Sequence, residues 1–213
     1  YFIDERGKAP LFFGLEAETR GSRPMPSVRS AYDYHYFQSH KPVREQEVAI
    51  GHSVRATYLY CAMADLALRL GDTSLFDACK RLFMSIAEKQ MYVTGGIGST
   101  RYGERFTEDY DLPNDVAYSE TCASIGLALF ARRMSLIDPD SIYADIAEKA
   151  IYNCALAGVS LKGNSFFYVN PLEINLINHT RHACVTNGDP LPITQRKEVF
   201  DCSCCPPNLT RFI

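Results

Sequence analysis

The sequence has no long hydrophobic run. Its apolar stretches are short and interrupted by polar residues, and none approaches the roughly 18 to 20 residues that a membrane-spanning helix needs. Basic residues are also few. The 22 Lys and Arg stand against 25 Asp and Glu, giving a net charge of -3 and no basic patch of the kind that binds nucleic acid. We therefore expect neither a membrane nor a nucleic acid as a partner.

Cysteine is too scarce for a small domain held together by disulfides. The 8 cysteines are spread over 213 residues, far below the density of such scaffolds. Cys61, Cys79 and Cys154 fall in apolar, helix-patterned segments, where a buried free thiol packs as a small hydrophobe. Cys122 and the cluster at 202–205 need another explanation.

An initiating methionine is also missing. The chain begins at Tyr1 in a polar stretch and stops at Ile213, a few residues into a new helical pattern. Its composition, 46% hydrophobic and 22% charged, is that of a globular protein. We interpret residues 1–213 as an internal fragment of a longer protein.

Apolar residues recur at three- and four-residue steps in four segments, which predicts four helices. The first pair covers residues 44–70 and 73–91, and the second covers 119–136 and 139–156. Because the turns within each pair are short, the partners should lie antiparallel. Repeated helix hairpins are typical of alpha/alpha barrels. We therefore expect a mainly α fold that forms about half of an (α/α)6 toroid.

The pattern changes after the fourth helix. A short β-hairpin is predicted there, with strands at 159–161 and 165–169 around a Lys-Gly-Asn turn. Residues 1–43 and 172–201 show no sustained period, so we expect loops and short elements in the first of these segments. Two prolines then open a last helix at Pro206.

The loop at 92–118 is long for a compact domain, and such loops are usually functional or disordered. Its aromatic and polar residues favour a functional role. Glu104 stands between glycine and aromatic residues, where partial desolvation would raise its pKa and suit a general acid. Composition alone does not distinguish it from the other loop carboxylates, which are Glu108, Asp109, Asp111 and Asp115.

The tetrad Cys204-Cys205-Pro206-Pro207 is the most informative motif. Proline in the first helical turn places both thiols at a helix N-terminus, where free N–H groups favour anions such as thiolates. Thiolate is the nucleophilic and metal-binding form of cysteine. The alternative is a pair of buried structural cysteines or a vicinal disulfide.

Glu120 and Cys122 form a second candidate pair. On a regular helix they point about 200° apart, so they face one ion only near the first turn, where Ser119 is predicted as the N-cap. Zinc binds cysteine sulfur and carboxylate oxygen in tetrahedral sets. The alternative for Glu120 is a simple interaction with the helix N-terminus.

Two further residues have both an ordinary and a functional interpretation. His52 falls on the apolar face of the first predicted helix, where a hydrogen-bonded core histidine is the commoner case. Tyr168 sits among aromatic residues, where packing is the default. Carbohydrate sites also use such side chains, because sugars present hydroxyls to polar groups and C–H faces to rings.

Together these motifs resemble glycoside hydrolase family 127, the beta-L-arabinofuranosidases. They occur in order along almost the whole chain and include the rare double-cysteine, double-proline element. The motifs are Gln38–Gln46, Gly51–Ala56, Thr94–Ser99, Gly103–Phe106, Tyr118–Ser124, Phe166–Glu173 and Cys202–Asn208.

The resemblance implies a catalytic (α/α)6-barrel domain, of which 1–213 is a fragment lacking the rest of the barrel and C-terminal β-sandwich domains. It implies a glycosidase that releases terminal beta-L-arabinofuranosyl residues with retention of configuration. Cys204 would be the nucleophile and would form a thioglycosyl intermediate. Glu104 would be the general acid/base, and His52 and Tyr168 would contact the sugar. A zinc ion would be held by Glu120, Cys122, Cys204 and Cys205.

Other interpretations remain open. The chain is also compatible with a related pentofuranosidase on the same barrel, or with a non-catalytic zinc- or sugar-binding scaffold. We expect a glycan or small-molecule substrate and allow for homo-oligomers of the full-length protein. Reduced, zinc-binding thiols favour the cytoplasm. Cys202 has no role in the family pattern and is interpreted as structural. The segment 183–197 matches no motif, so its polarity is expected to reshape the rim of the pocket.

Overall fold

The computed structural model describes residues 1–8, 12–21, 32–174, 185–186, 189–190, 194–200 and 202–212. The described chain is mainly helical and contains almost no strand, as expected. Its α-helices are α1 (Phe2–Glu5), α2 (Phe12–Arg20), α3 (Ser53–Leu70), α4 (Thr73–Ser85), α5 (Thr121–Ser135), α6 (Ser141–Ala150) and α7 (Cys205–Phe212). Its two strands, β1 (Val185–Thr186) and β2 (Asp189–Pro190), pair antiparallel.

Four long helices form the main core, and they pack in the predicted pairs. α3 contacts α4 and α5, and α5 contacts α6. Phe83 of α4 lies at the centre, with ring centroids 5.5 Å from Phe130 of α5 and 4.9 Å from Tyr143 of α6. Such edge-on aromatic contacts add to the stabilisation from burial itself. The site described below is therefore built on a packed helical frame.

The turn between α3 and α4 follows the sequence prediction closely. Gly71 ends α3 in the left-handed conformation at φ 63°, which glycine adopts without steric cost. Asp72 then caps α4 by accepting a hydrogen bond from the Leu75 N–H. The same carboxylate pairs with Arg44 at 2.7 Å, which ties the segment before α3 to this turn.

Three predicted helix boundaries are wrong. α3 begins at Ser53 rather than at residue 44; only Val43–Glu45 is helical before it, as one 3-10 turn. Gly51 explains the break, because at φ 78° it packs against backbone carbonyls and has no room for a side chain. α5 begins at Thr121 with Glu120 as N-cap, since Ser119 has φ 41°. α6 begins at Ser141 with Asp140 as N-cap, two residues after the predicted start.

α4 and α6 are each followed by a turn that is wider than an α-helical turn, which the apolar spacing of the sequence does not predict. After Ser85 and after Ala150 the chain makes one π-helical turn, at Ile86–Gln90 and Ile151–Ala155. The predicted helical spans to about 91 and 156 therefore combine an α-helix with a π turn. Single π turns are frequent next to functional sites.

The predicted β-hairpin forms as a turn without strands. Val159 pairs with Phe166 in one isolated bridge, and Ser160 N–H donates to the Ser165 carbonyl at 2.8 Å. The chain then changes partners, because Phe166 pairs with Lys197 and Val169 pairs with Glu120. The segment 166–169 therefore links the start of α5 to the chain that leads into the cysteine cluster, and this sharing of partners prevents a regular hairpin.

The segment 183–197 lies partly outside the described residues. Its C-terminal part, residues 194–197, is described and is hydrogen-bonded to the loop after α6. Arg196 donates to the carbonyls of Ala157 at 2.7 Å and Gly158 at 3.0 Å. The expected effect of this segment on the pocket rim stays a prediction. Among the described residues, no helix combines the length and apolarity needed to cross a bilayer.

α3 and α5 approach each other closely at Gly126. A Cβ atom at this position would lie 2.2 Å from Thr57 Oγ1 and 3.0 Å from Thr57 Cβ. We expect Gly126→Ala to lower the free energy of unfolding by about 1 kcal/mol, because overpacking costs about 1–3 kcal/mol and the better helix propensity of alanine offsets part of that. Urea denaturation measures the change. In a Thr57→Ala background the same substitution should cost less, so strictly additive effects would contradict the close contact.

Candidate active site and metal centre

A cavity of about 480 Å³ opens where three helices begin. His52 caps α3, Glu120 caps α5, and Cys204 directly precedes α7. Helix N-termini present unpaired N–H groups and a positive dipole end, so their convergence favours anionic groups in this cavity. Six of the seven predicted site residues line it, namely His52, Glu104, Glu120, Cys122, Tyr168 and Cys204, and the seventh, Cys205, is buried beside Cys122.

The four predicted metal ligands come together despite their separation in sequence. One ligand atom from each of Glu120, Cys122, Cys204 and Cys205 lies within 4.8 Å of all the others. Cys122 Sγ is 3.4 Å from Cys204 Sγ and 3.6 Å from Cys205 Sγ. Cys204 Sγ is also 3.4 Å from Glu120 Oε1. Three sulfurs and one carboxylate oxygen in this arrangement match the ligand set of a closed zinc site.

Local structure explains how Glu120 and Cys122, two positions apart, face one centre. Glu120 has extended backbone angles, φ -62° and ψ 135°, because it is the N-cap. Cys122 is the second residue of α5 and the helical 200° separation does not yet apply between them. The two positions therefore converge as expected, although the capping residue is Glu120 and not Ser119.

The charge state of this cluster indicates that it fits a cation. Glu120 is only 2% exposed and its Oε2 atom has no hydrogen-bond partner among the described residues. Burial raises the pKa of Glu120 well above its ordinary value, and the neighbouring Glu104 and Cys204 raise it further. Unpaired buried carboxylates are costly, and a bound cation removes that cost. The donors present therefore suit a divalent metal.

The pKa values of the Cys122 and Cys205 thiols are shifted in opposite directions. Hydrogen bonds from Cys204 and Cys205 lower the pKa of Cys122 to about 5. The same contacts with Cys122 and Cys204, together with burial, raise the pKa of Cys205. Without a cation, the cluster therefore accommodates a thiolate at Cys122 while Cys205 keeps its proton.

Glu104 lines the same cavity from a tight turn, with φ 52°. Its Oε2 atom is 2.9 Å from His52 Nε2, and its Oε1 atom accepts a hydrogen bond from the Tyr118 hydroxyl at 3.0 Å. Burial raises its pKa, but these two hydrogen bonds, together with electrostatic attraction from His52 and Arg55, outweigh burial and the pKa lies below its ordinary value. The expectation of a raised pKa is therefore wrong for the sugar-free site, because two donors from separate elements stabilise the carboxylate.

His52 occupies a different position from the one predicted. It is the N-cap of α3 rather than a residue on its apolar face, and its Nδ1 atom accepts a hydrogen bond from the Arg55 N–H at 3.3 Å. Since Nδ1 is an acceptor, the proton of the neutral ring belongs on Nε2, which faces Glu104. The helix end thus fixes which imidazole nitrogen is a donor.

Tyr168 lies between the start of α5 and the cysteine cluster. It is 3% exposed, and its hydroxyl lies 3.3 Å from Cys204 Sγ and 3.7 Å from Cys202 Sγ. Its backbone carbonyl accepts from the Thr121 N–H at 3.0 Å, which aligns it with the start of α5. Burial and the nearby Glu120 raise the pKa of its phenol, so the hydroxyl remains a donor.

The structure also distinguishes Glu104 from the other loop carboxylates. Within the described loop, Glu108, Asp109, Asp111 and Asp115 do not line the cavity. Asp109 pairs with Lys89 at 3.0 Å, outside the site. Sequence reasoning missed four residues that do belong to the cavity or contact its groups, and these are Tyr58, Tyr118, Asn208 and Arg211. The spacing of Asn208 from Cys204, one helical turn, was the one available signal.

Comparison with known proteins identifies the family of the chain. The profile of the family described as "Beta-L-arabinofuranosidase, GH127 catalytic domain" matches residues 1–213. The chain belongs to this family. A "Non-reducing end beta-L-arabinofuranosidase" from Bifidobacterium longum subsp. longum is 42% identical to this GH127 chain over 216 residues, covering 100% of the chain and 32% of the relative.

Solved structures of GH127 proteins share the fold. A GH127 beta-L-arabinofuranosidase from Geobacillus stearothermophilus T6 matches with a TM-score of 0.86 and 48% identity, covering 99% of this chain and 32% of that one. The GH127 beta-arabinofuranosidase BT3674 matches with a TM-score of 0.76 and 38% identity, covering 99% and 27%. The chain therefore spans about a third of the length of these relatives.

Proposed function

We propose that this GH127 chain is part of the catalytic domain of a retaining glycosidase that releases terminal beta-L-arabinofuranosyl residues. The observation that supports it most is that Cys204 and Glu104, 100 residues apart in the sequence, line one cavity. The arabinofuranosidase relatives named above support the substrate class. We further propose that the pairs α3/α4 and α5/α6 are two hairpins of an (α/α)6 barrel that a longer protein completes.

Glu120, Cys122, Cys204 and Cys205 would hold a zinc ion, as their mutual distances and the unpaired Glu120 oxygen suggest. When bound, zinc would keep the coordinating thiols in their thiolate form and moderate their charge. The Cys204 sulfur is the one that both lines the cavity and lies beside the Tyr168 hydroxyl. That exposure favours it over Cys122 and Cys205 as the nucleophile.

The reaction then takes two displacements at the anomeric carbon. The Cys204 thiolate forms a C–S bond to that carbon while Glu104 gives its proton to the departing glycosidic oxygen. Glu104, now a carboxylate, next takes a proton from water, and the water oxygen displaces sulfur and regenerates the thiolate. Two inversions at one carbon leave its configuration unchanged.

Glu104 must gain a proton before the first step, and the structure offers a route to that state. In the sugar-free site its carboxylate accepts from His52 and Tyr118. We propose that a bound sugar hydroxyl takes the His52 hydrogen bond and that the sugar excludes water. Both changes raise the pKa of Glu104 and favour the acid form. His52 would thereby recognise the substrate and couple its arrival to protonation.

Removing one donor tests this arrangement. Tyr118→Phe deletes a hydrogen bond that stabilises the Glu104 carboxylate, so the pKa of Glu104 should rise. Because the acid must be protonated for the first step, the alkaline limb of the pH profile of kcat/KM should move to higher pH. The measurement uses an aryl beta-L-arabinofuranoside and the longer protein to which we propose the chain belongs. An unchanged alkaline limb with altered KM would show that Tyr118 acts on binding alone, and no turnover by the parent protein would refute the proposed activity.

A glycan or small-molecule arabinofuranoside is the proposed substrate. Homo-oligomers of the full-length protein and a cytoplasmic location stay predictions. The latter rests on the need to keep the cluster reduced, and the seven cysteines within the described residues do carry free thiols.

A further inference from the structure

The helix α7 carries a second row of polar side chains beside the cysteine cluster. Cys204, Asn208 and Arg211 are four and three residues apart, which places them along one face of the helix. All three line the cavity. Tyr58 of α3 meets this row, because its hydroxyl accepts a hydrogen bond from Arg211 at 3.3 Å. The row therefore runs from the cluster to the rim of the cavity.

Arg211 fixes the orientation of the Asn208 amide. Asn208 Oδ1 accepts a hydrogen bond from Arg211 at 2.7 Å. A guanidinium group only donates, so the oxygen of the amide must face Arg211 and the nitrogen must face the other way. Arg211 is itself restrained, since it lies over the Tyr58 ring at 5.6 Å from the centroid.

The Asn208 amide is buried in the cavity that the cluster lines, and its nitrogen has no hydrogen-bond partner among the described residues. The residue is only 8% exposed. Its amide favours the anionic form of two groups that line the same cavity, the Cys122 thiol and the Tyr58 phenol, and Cys122 is the one that belongs to the cluster. Buried amide N–H groups are normally satisfied, so an unsatisfied one beside a ligand cluster calls for an acceptor.

A metal-bound cluster would supply that acceptor. Three thiolates and one carboxylate bring four negative charges to a dication, which leaves an excess of two negative charges on the sulfur and oxygen atoms. Donors that reach ligand atoms from outside the coordination sphere orient those ligands and stabilise them. The described cavity lining contains one amide, Asn208, and it shares that lining with three of the four ligands, Glu120, Cys122 and Cys204.

We propose that Asn208 is a positioning residue of the metal centre, whose Nδ2–H donates to the metal-bound Cys122 sulfur while Arg211 holds the amide in that orientation. This rests on the proposed function, because it requires zinc bound by thiolates. It goes further in assigning a role to the face of α7 that lines the cavity. Arg211 also places a positive charge near an anionic cluster, so it contributes charge balance as well as geometry.

The test is the rate at which zinc leaves the zinc-loaded protein. Asn208→Asp keeps the size of the side chain and its contact with Arg211 but replaces the donor by an oxygen that repels the Cys122 sulfur. We expect zinc release to a colour-forming chelator to become about 10- to 100-fold faster, the range found when such supporting hydrogen bonds are lost. Cobalt substitution gives a second readout, because the sulfur-to-cobalt absorption band should shift in energy.

Two further variants complete the design. Asn153→Asp makes the same chemical change at an exposed site outside the cavity and should leave zinc release unchanged. Arg211→Met, on the partly exposed end of α7, should accelerate zinc release in the same direction as Asn208→Asp but by less. If Asn208→Asp fails to fold, the rate of zinc release from Arg211→Met is the test of the proposal. Release rates equal to the parent in both variants would overturn the positioning role alone. A parent protein that binds no zinc would overturn the proposed function together with this inference.

Discussion

Glu104→Gln is expected to lower kcat/KM on an aryl beta-L-arabinofuranoside by about 100- to 10,000-fold, the usual contribution of a positioned general acid/base. The amide has nearly the same shape and can still accept a hydrogen bond from His52 or Tyr118, so the turn at Glu104 should persist. It cannot give a proton to the leaving oxygen or take one from water. Zinc content should not change, because Glu104 is not among the four clustered ligands.

The design of this experiment separates catalysis from binding. Glu108→Gln makes the same change at an exposed carboxylate four residues away and should have little effect on turnover. Substrates whose leaving group departs without a proton should be affected less in the first step than those with a poor leaving group. Full activity of Glu104→Gln, with zinc and fold intact, would support a non-catalytic zinc- or sugar-binding scaffold instead.

The metal cluster shows what sequence patterns can and cannot provide. Helix-start signals, proline for Cys204 and a predicted N-cap for Cys122, placed both cysteines near helix starts. The pair Cys204/Cys205 and the residue Glu120 each also had an ordinary structural explanation. Only resemblance to a known family joined them into one ligand set. The structure supplies the physical link, because segment 166–169 pairs with Glu120 on one side and Lys197 on the other and so brings the two helix starts together. Such sharing of partners leaves no periodic signal.

Residues that act through others were harder to predict. Tyr118 and Asn208 bear no charge, and each is defined by a partner distant in sequence: Tyr118 by Glu104, and Asn208 by Cys122. The π turns after α4 and α6 escaped prediction for a related reason, since their apolar residues continue the helical spacing closely enough to hide the wider turn. Helix pairing was predictable because it depends on local spacing and short turns.

The environments of two carboxyl groups in one cavity give them different protonation states. Glu104 is held as a carboxylate by two donors, whereas Glu120, buried among thiols, keeps its proton unless a cation replaces it. The free energy of unfolding should therefore depend on pH in opposite directions through these two carboxyl groups. The lowered pKa of Glu104 contributes stability that is present above its unfolded-state pKa and is lost as the pH falls through the folded-state value. In the metal-free chain the raised pKa of Glu120 acts in the other direction: its contribution to stability is present below its unfolded-state pKa and is lost as the pH rises through the folded-state value.

The nucleophile itself can be identified by covalent labelling. Incubating the zinc-loaded longer protein with an electrophilic arabinofuranosyl inactivator should add one label, located on Cys204 by peptide mass spectrometry. Selectivity is expected because burial raises the pKa of Cys61 and of Cys79 to about 12, so neither forms a reactive thiolate at neutral pH. Cys204→Ser should abolish this labelling and lower kcat/KM at least about 10,000-fold, since a hydroxyl is a poor zinc ligand and a weak nucleophile.

Cys202 provides the matched control for that experiment. It lies two residues from Cys204, is exposed, and stands outside the four-residue cluster, so ordinary accessibility would favour it over the half-buried Cys204. Cys202→Ser should therefore keep both labelling and turnover if the sugar directs the inactivator into the cavity. A label on Cys202, or equal labelling of the Cys204→Ser variant, would mean that exposure rather than the position of Cys204 beside the anomeric carbon governs the reaction, and the thiolate mechanism would then lose its nucleophile.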